Sequence, residues 1–175
     1  MINYQFFPKN LDTPNCLKEV ADVFVKNSHK IETPERGLSS NEVLKKLEKD
    51  LIYKGFDVER KIEDTLVKVS IPVLFGINGK KDKEFQVDAY HKHDKTVLEI
   101  EAGQGVVNYK FLKDFFEASI MIDVDYLVIA VCNLYKPKSS KSGNKDFETV
   151  CTFFDTLYTS GKLMSSLKGI LIIGY

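Results

Sequence analysis

The run "YLVIAVC", residues 126 to 132, is apolar at nearly every position. A strand with one wet face alternates apolar and polar residues, so an almost unbroken apolar run marks a strand buried on both faces. A sheet built around it has to be covered on both sides, and the rest of the chain must supply the cover.

The surrounding pattern does so. Thr13 and Pro14 suit the N-cap and first position of a helix, with Leu17, Val20, Ala21 and Phe24 as its apolar stripe. Ser39 and Glu42 have capping-box spacing, Val43, Leu44, Leu47 and Leu51 form a second stripe, and Gly55 ends that helix. Strands are expected at "FDVERK", at "TLVKVSIPVLFGI" with Pro72 marking a bend or edge, at "EFQVDAYHK" and at "KTVLEIEA". Asn78-Gly79 is a hairpin turn signal. Helices follow over "VVNYKFLKDFFEASIMI" and over the stripe Phe147, Val150, Cys151, Phe154, Leu157 and Tyr158, and "GILIIGY" forms a last strand. The fold class is therefore α/β, a mixed central β-sheet flanked by helices.

With 175 residues the chain reads as a single domain. Residues 1–38 are an N-terminal extension with one helix, 39–132 the core, 133–146 a mobile lysine-rich loop, and 147–175 a C-terminal helix and strand. Lys plus Arg equal Asp plus Glu at 25 each, so no overall field directs the chain to nucleic acid or membrane. Three sparse cysteines, Cys16, Cys132 and Cys151, read as reduced thiols of a cytoplasmic protein. No signal-peptide pattern is expected at the start, and no run approaches a membrane span.

The chemistry lies in "VDAYHKHDKTVLEIEAGQG", residues 87 to 105. A two-residue loop at His93-Asp94 places Asp88 opposite Glu99 and Gln86 opposite Glu101. Gln86, Asp88 and Tyr90 then share a face with Val97, Glu99 and Glu101, while Phe85, Val87 and Ala89 share the core face with Leu98, Ile100 and Ala102. Opposed residues hold their Cβ atoms about 5 Å apart. Carboxylates that close repel, and a divalent cation between them removes the conflict. Mg²⁺ binds such oxygens, often through one or two carboxylates with water and phosphate. The alternative is an ordinary solvated strand face.

Asp88, ten residues, then Glu99-Ile100-Glu101 resembles the PD-(D/E)XK nuclease superfamily, and the order of elements from about Ser40 to Cys132 is similar to that fold. Val87 stands in place of the motif proline, and Glu101 in place of the motif lysine. The acid-X-acid form is similar to BamHI-like type II restriction endonucleases. This resemblance implies a restriction-endonuclease-like fold, Mg²⁺ or Mn²⁺ as cofactor, DNA as substrate and a homodimer. It implies Asp88 and Glu99 as metal ligands, and Glu101 as the group acting on the attacking water or assisting the metal. Lys110 is the candidate for a lysine supplied from the next helix. A further acid from the first core helix is expected, Glu42 by its pattern, with Glu48 nearer the apolar margin. A nuclease-fold module that has lost activity and binds nucleic acid or a protein remains the alternative.

Gly103 and Gly105 permit a phosphate to approach the backbone near a helix N-terminus, with Gln104 as a contact. A flexible strand-to-helix turn is the plainer reading. Lys136, Lys138, Lys141 and Lys145 form either a DNA phosphate-contacting set or a solvated loop. His91 and His93 read as surface histidines. Lys110, Lys113, Asp114 and Glu117 carry mixed signs and read as an ordinary solvent face.

Overall fold

In the computed structural model, residues 1–31, 37–103, 106, 109–136, 143–162 and 165–175 are described. The chain runs β1 (Asn3–Phe7), α1 (Asn15–Ile31), α2 (Ser40–Tyr53), β2 (Asp57–Val58), β3 (Arg60–Ile62), β4 (Thr65–Val67), β5 (Val69–Phe75), β6 (Lys81–Val87), β7 (Ala89–His91), β8 (Thr96–Glu101), α3 (Lys110–Ile120), β9 (Tyr126–Val131), α4 (Asp146–Thr159) and β10 (Gly169–Gly174). The central sheet has the order β1-β10-β9-β8-β7-β2. Its middle three strands, β8, β9 and β10, are parallel, and antiparallel strands flank them on both sides. The α/β architecture with a mixed, helix-flanked sheet is thus present.

Strict alternation builds two cores. Leu98, Ile100, Val128, Ala130, Leu171 and Ile173 face α1 and α2. Val97, Leu127, Ile129, Val131, Ile170 and Ile172 face α3 and α4. The apolar strand β9 has Leu127 to Val131 fully enclosed, as a strand packed on both sides requires.

α2 begins as its sequence dictates. The Ser39 hydroxyl accepts from the Glu42 backbone N–H while the Glu42 carboxylate accepts from the Ser39 N–H, a complete capping box. Val43, Leu44, Leu47 and Leu51 are its buried face, and Gly55 follows the end with φ +94°. The N-terminal stretch supplies more than the expected helix: β1 adds an edge strand to the sheet, and α1 buries Leu17, Val20 and Phe24 in the first core.

Three expectations are corrected. The segment "EFQVDAYHK" is not one strand. It breaks at Asp88 into β6, which pairs with β5 in a separate hairpin, and β7, which stays in the central sheet. Gln86 therefore faces Ser70 rather than Glu101, and Val87 packs in the second core with Val69 and Ile71, across the sheet from Ala89. The strand expected at "FDVERK" splits between β2 in the central sheet and β3, which pairs only with β4. His91 is not a surface residue; its ring lies against Phe56, 5.0 Å between centroids, and its Nδ1 accepts from the Asp94 N–H. His93 does point to solvent.

All three cysteines are free. Among the described residues, no helix is long and apolar enough to cross a membrane.

Candidate active site

The expected pairing register is present. Ala89 faces Leu98, Tyr90 faces Val97 and His91 faces Thr96, so the same count sets Asp88 against Glu99. At that point the ladder stops and side chains take over. The Asp88 carboxylate accepts from the Ile100 N–H at 2.7 Å, and the Asp88 backbone N–H works against the rise in the Glu99 pKa. The Asp88 carbonyl in turn accepts from the Glu59 N–H at 2.8 Å. These bonds fix Asp88 where two adjacent strands diverge.

The end of β8 is pinned as well. The Ala102 N–H donates to the Ser40 hydroxyl at 3.1 Å, and the Tyr175 hydroxyl donates to the Glu101 carbonyl. The acids therefore lie toward the carboxyl end of β8, one of the three parallel strands, where α/β sheets leave a crevice as the chain departs for its crossover.

Glu99 and Glu101 project from β8 on the face covered by α3. Mixed signs along that helix suggested solvent; Lys110 and Lys113 are exposed as expected, while Asp114 and Glu117 are not. Asp114 is 8% exposed, on the same buried side as Phe111 and Ala118, and its Oδ2 has no hydrogen-bond partner among the described residues. Lys110 Nζ stands 3.9 Å from Glu101 Oε2, and Lys113 Nζ stands 3.3 Å from Glu117 Oε2. Phe116, meanwhile, is exposed. Lys110, Lys113, Asp114 and Glu117 fall at i, i+3, i+4 and i+7, a single helical stripe. That spacing was the available signal; nothing local showed that the stripe turns toward the acidic strand.

Burial, and then neighbouring charge, perturbs four carboxyl groups in the crevice. Burial pushes Asp88 up to about 6, against the pull of the Ile100 N–H and with added repulsion from Glu59 and Glu101. Burial also raises Glu99 well above the usual range, and the charges of Asp88 and Asp114 push the same way. Asp114 is raised to about 7 by burial, then by Glu101. Glu101 is raised by burial but held back by Lys110 and Lys113. Four carboxyl groups that resist ionisation together are the electrostatic condition under which a counter-cation binds.

The other expected site residues fall elsewhere. The Glu42 carboxylate is occupied by its cap, whose N–H and hydroxyl contacts hold its pKa below the usual value. It lines a groove of about 330 Å³ with Glu48 and Glu59, on the α2 side. Because α2 packs on the Leu98 and Ile100 face, the helix that meets Glu99 and Glu101 is α3. Gly103 has φ +78°, and the Tyr135 ring occupies the space where a side chain would be. A phosphate expected there would have to displace that ring. Lys136 is exposed; Gln104, Gly105, Lys138 and Lys141 lie outside the described residues.

Comparison with family models, curated proteins and solved structures finds no match.

Proposed function

We propose that the protein is a Mg²⁺- or Mn²⁺-dependent endonuclease that hydrolyses DNA phosphodiester bonds on a restriction-endonuclease-like fold. The observation that carries this reading is the opposed pair Asp88 and Glu99 toward the carboxyl end of β8, with the Asp88 carboxylate positioned by the Ile100 N–H of the other strand.

The residues fit a divalent cation. Among the described residues, no three Asp, Glu, His or Cys side chains form a ready-made cage. Mg²⁺ does not need one, because it keeps several waters and commonly takes one or two carboxylates plus substrate phosphate. Asp88 and Glu99 supply the two, and Asp114 Oδ2 is a buried acceptor with no hydrogen-bond partner among the described residues. When bound, the ion neutralises phosphate charge and activates water.

The chain's own groups divide the remaining work. Glu101, half-buried and next in line on the same face, takes a proton from the attacking water. Its raised pKa brings it nearer the working pH of a general base. Lys110 and Lys113 place two positive charges beside Glu101 and oppose the charge that builds on the phosphoryl oxygens. Purified protein is expected to nick or cut DNA with Mg²⁺ or Mn²⁺ and not in chelator. Asp88→Ala and Glu99→Gln each abolish the reaction, and cleavage that survives both refutes the assignment. An RNA substrate in the same assay tests the choice of nucleic acid.

A second reading is an inactive nuclease-fold module. It draws support from Glu101 in the lysine position, close to Lys110. Nucleic-acid binding that ignores metal, with no cleavage under any divalent cation, favours it over the enzyme.

A further inference from the structure

A second concavity, of about 820 Å³, runs along the outer edge of the sheet between β2 and β5. Four cations line it: Arg60, Lys68, Lys92 and Lys95. Lys95 is paired with Asp123 at 3.0 Å, and Asp57 is the other acid of the wall. Among the described residues, Arg60, Lys68 and Lys92 meet no carboxylate within ion-pair distance. Elsewhere on the surface pairs such as Lys26–Asp50, Lys54–Glu19 and Lys168–Asp125 do form. The same walls include Tyr90, Pro72 and Ile122. The cleft also borders the acids. Glu59, between Val58 and Arg60 of the cleft rim, bonds through its N–H to the Asp88 carbonyl, and Val69 of the opposite wall pairs with Val87.

Unpaired cations sharing a cleft with apolar walls fit a ligand that repeats negative charge along its length and carries flat apolar groups between. The geometry points to this cleft as the surface that holds a nucleic-acid strand, with Arg60, Lys68 and Lys92 on successive phosphates and the strand leading toward Asp88. The inference deepens the nuclease reading, but its test does not depend on cleavage.

The probe is a fluorescent oligonucleotide, as single strand and as duplex, titrated by anisotropy in chelator with the full chain. Three phosphate contacts weaken duplex binding about 40-fold and single-strand binding about 20-fold between about 50 and 200 mM salt. The variant Arg60→Gln/Lys68→Gln/Lys92→Gln is expected to lose that share of the salt dependence. Asp57→Asn, which removes the cleft's unpaired acid, is expected to tighten binding. All four positions are exposed or half-buried, so circular dichroism should show unchanged folding. Triple-variant binding equal to wild type overturns the proposal, as does wild-type protein that binds neither form. Loss of binding in Lys136→Gln, with the cleft variant unaffected, moves the interface to the lysine loop and also overturns it. An equal grip on dextran sulfate removes the assignment to nucleic acid. Failure of cleavage with cleft binding intact refutes only the enzyme.

Discussion

Replacing Asp114 with Asn makes the cost of the acidic crevice measurable. The carboxyl group goes from 3.8 in the open chain to about 7 in the fold, with burial the main cause and Glu101 the next. A folded-state pKa above the unfolded one means the native state binds the extra proton, so stability falls as pH rises between the two values. The contribution is whole below about pH 4 and lost above about pH 7. Three units at about 1.4 kcal/mol each give a ceiling of about 4 kcal/mol. Water at the crevice mouth screens part of it, so about 2–4 kcal/mol is expected. Asn keeps the shape and removes the charge. Asp114→Asn should thus melt about 5–15 °C above wild type at pH 8 and level with it at pH 4, at about 2–4 °C per kcal/mol for a chain of this size. The assay is thermal unfolding by circular dichroism in chelator from pH 4 to 8. A variant no more stable than wild type at pH 8, or a gap that does not vary with pH, refutes the reasoning.

The same electrostatics predict that magnesium stabilises wild type at pH 8 and not at pH 5, where Asp88, Glu99 and Asp114 hold protons. At about tenfold excess over the dissociation constant the gain is about 1.4 kcal/mol, read as a shift in melting temperature. Lys113→Met should lower the rate of DNA cleavage by about 10²–10³ with little change in KM, if its charge acts on the transition state; a pure KM effect would assign it to binding instead. Gly103→Ala has to hold an L-residue at positive φ and displace the Tyr135 ring, so denaturant unfolding should show a loss of about 1–3 kcal/mol. Ser39→Ala removes one half of the capping box and should cost about 1 kcal/mol in the same experiment.

Features governed by a few neighbouring residues were legible in the chain. The Ser39–Glu42 cap, the α2 stripe and the enclosed strand β9 depend on local hydrogen bonds or on the period of apolar positions, and each stands where that period places it. The register that opposes Asp88 to Glu99 followed from keeping apolar residues on one face around a short turn, and the pairs Ala89–Leu98 and His91–Thr96 preserve it. β1 was not legible. "NYQFF" has no clean alternation, and the segment is a strand because β10, more than 160 residues away, offers it an open edge.

The sequence by itself determined that this chain builds a covered sheet and that Asp88 and Glu99 meet on neighbouring segments, because periodicity and turn length act over a few residues. Only the tertiary structure decided which helix faces them. Phe111 and Ala118 had to reach the second core, and satisfying that contact rotated α3 until Asp114 turned toward the acids rather than to water, with the exposed Lys110 and Lys113 beside it. The break after Val87 has the same kind of origin. Asp88 takes the Ile100 N–H for its side chain, and β6 finds its partner in β5. A residue's pattern states its preference for burial or water; the neighbours that satisfy it are set by the packing of the whole chain.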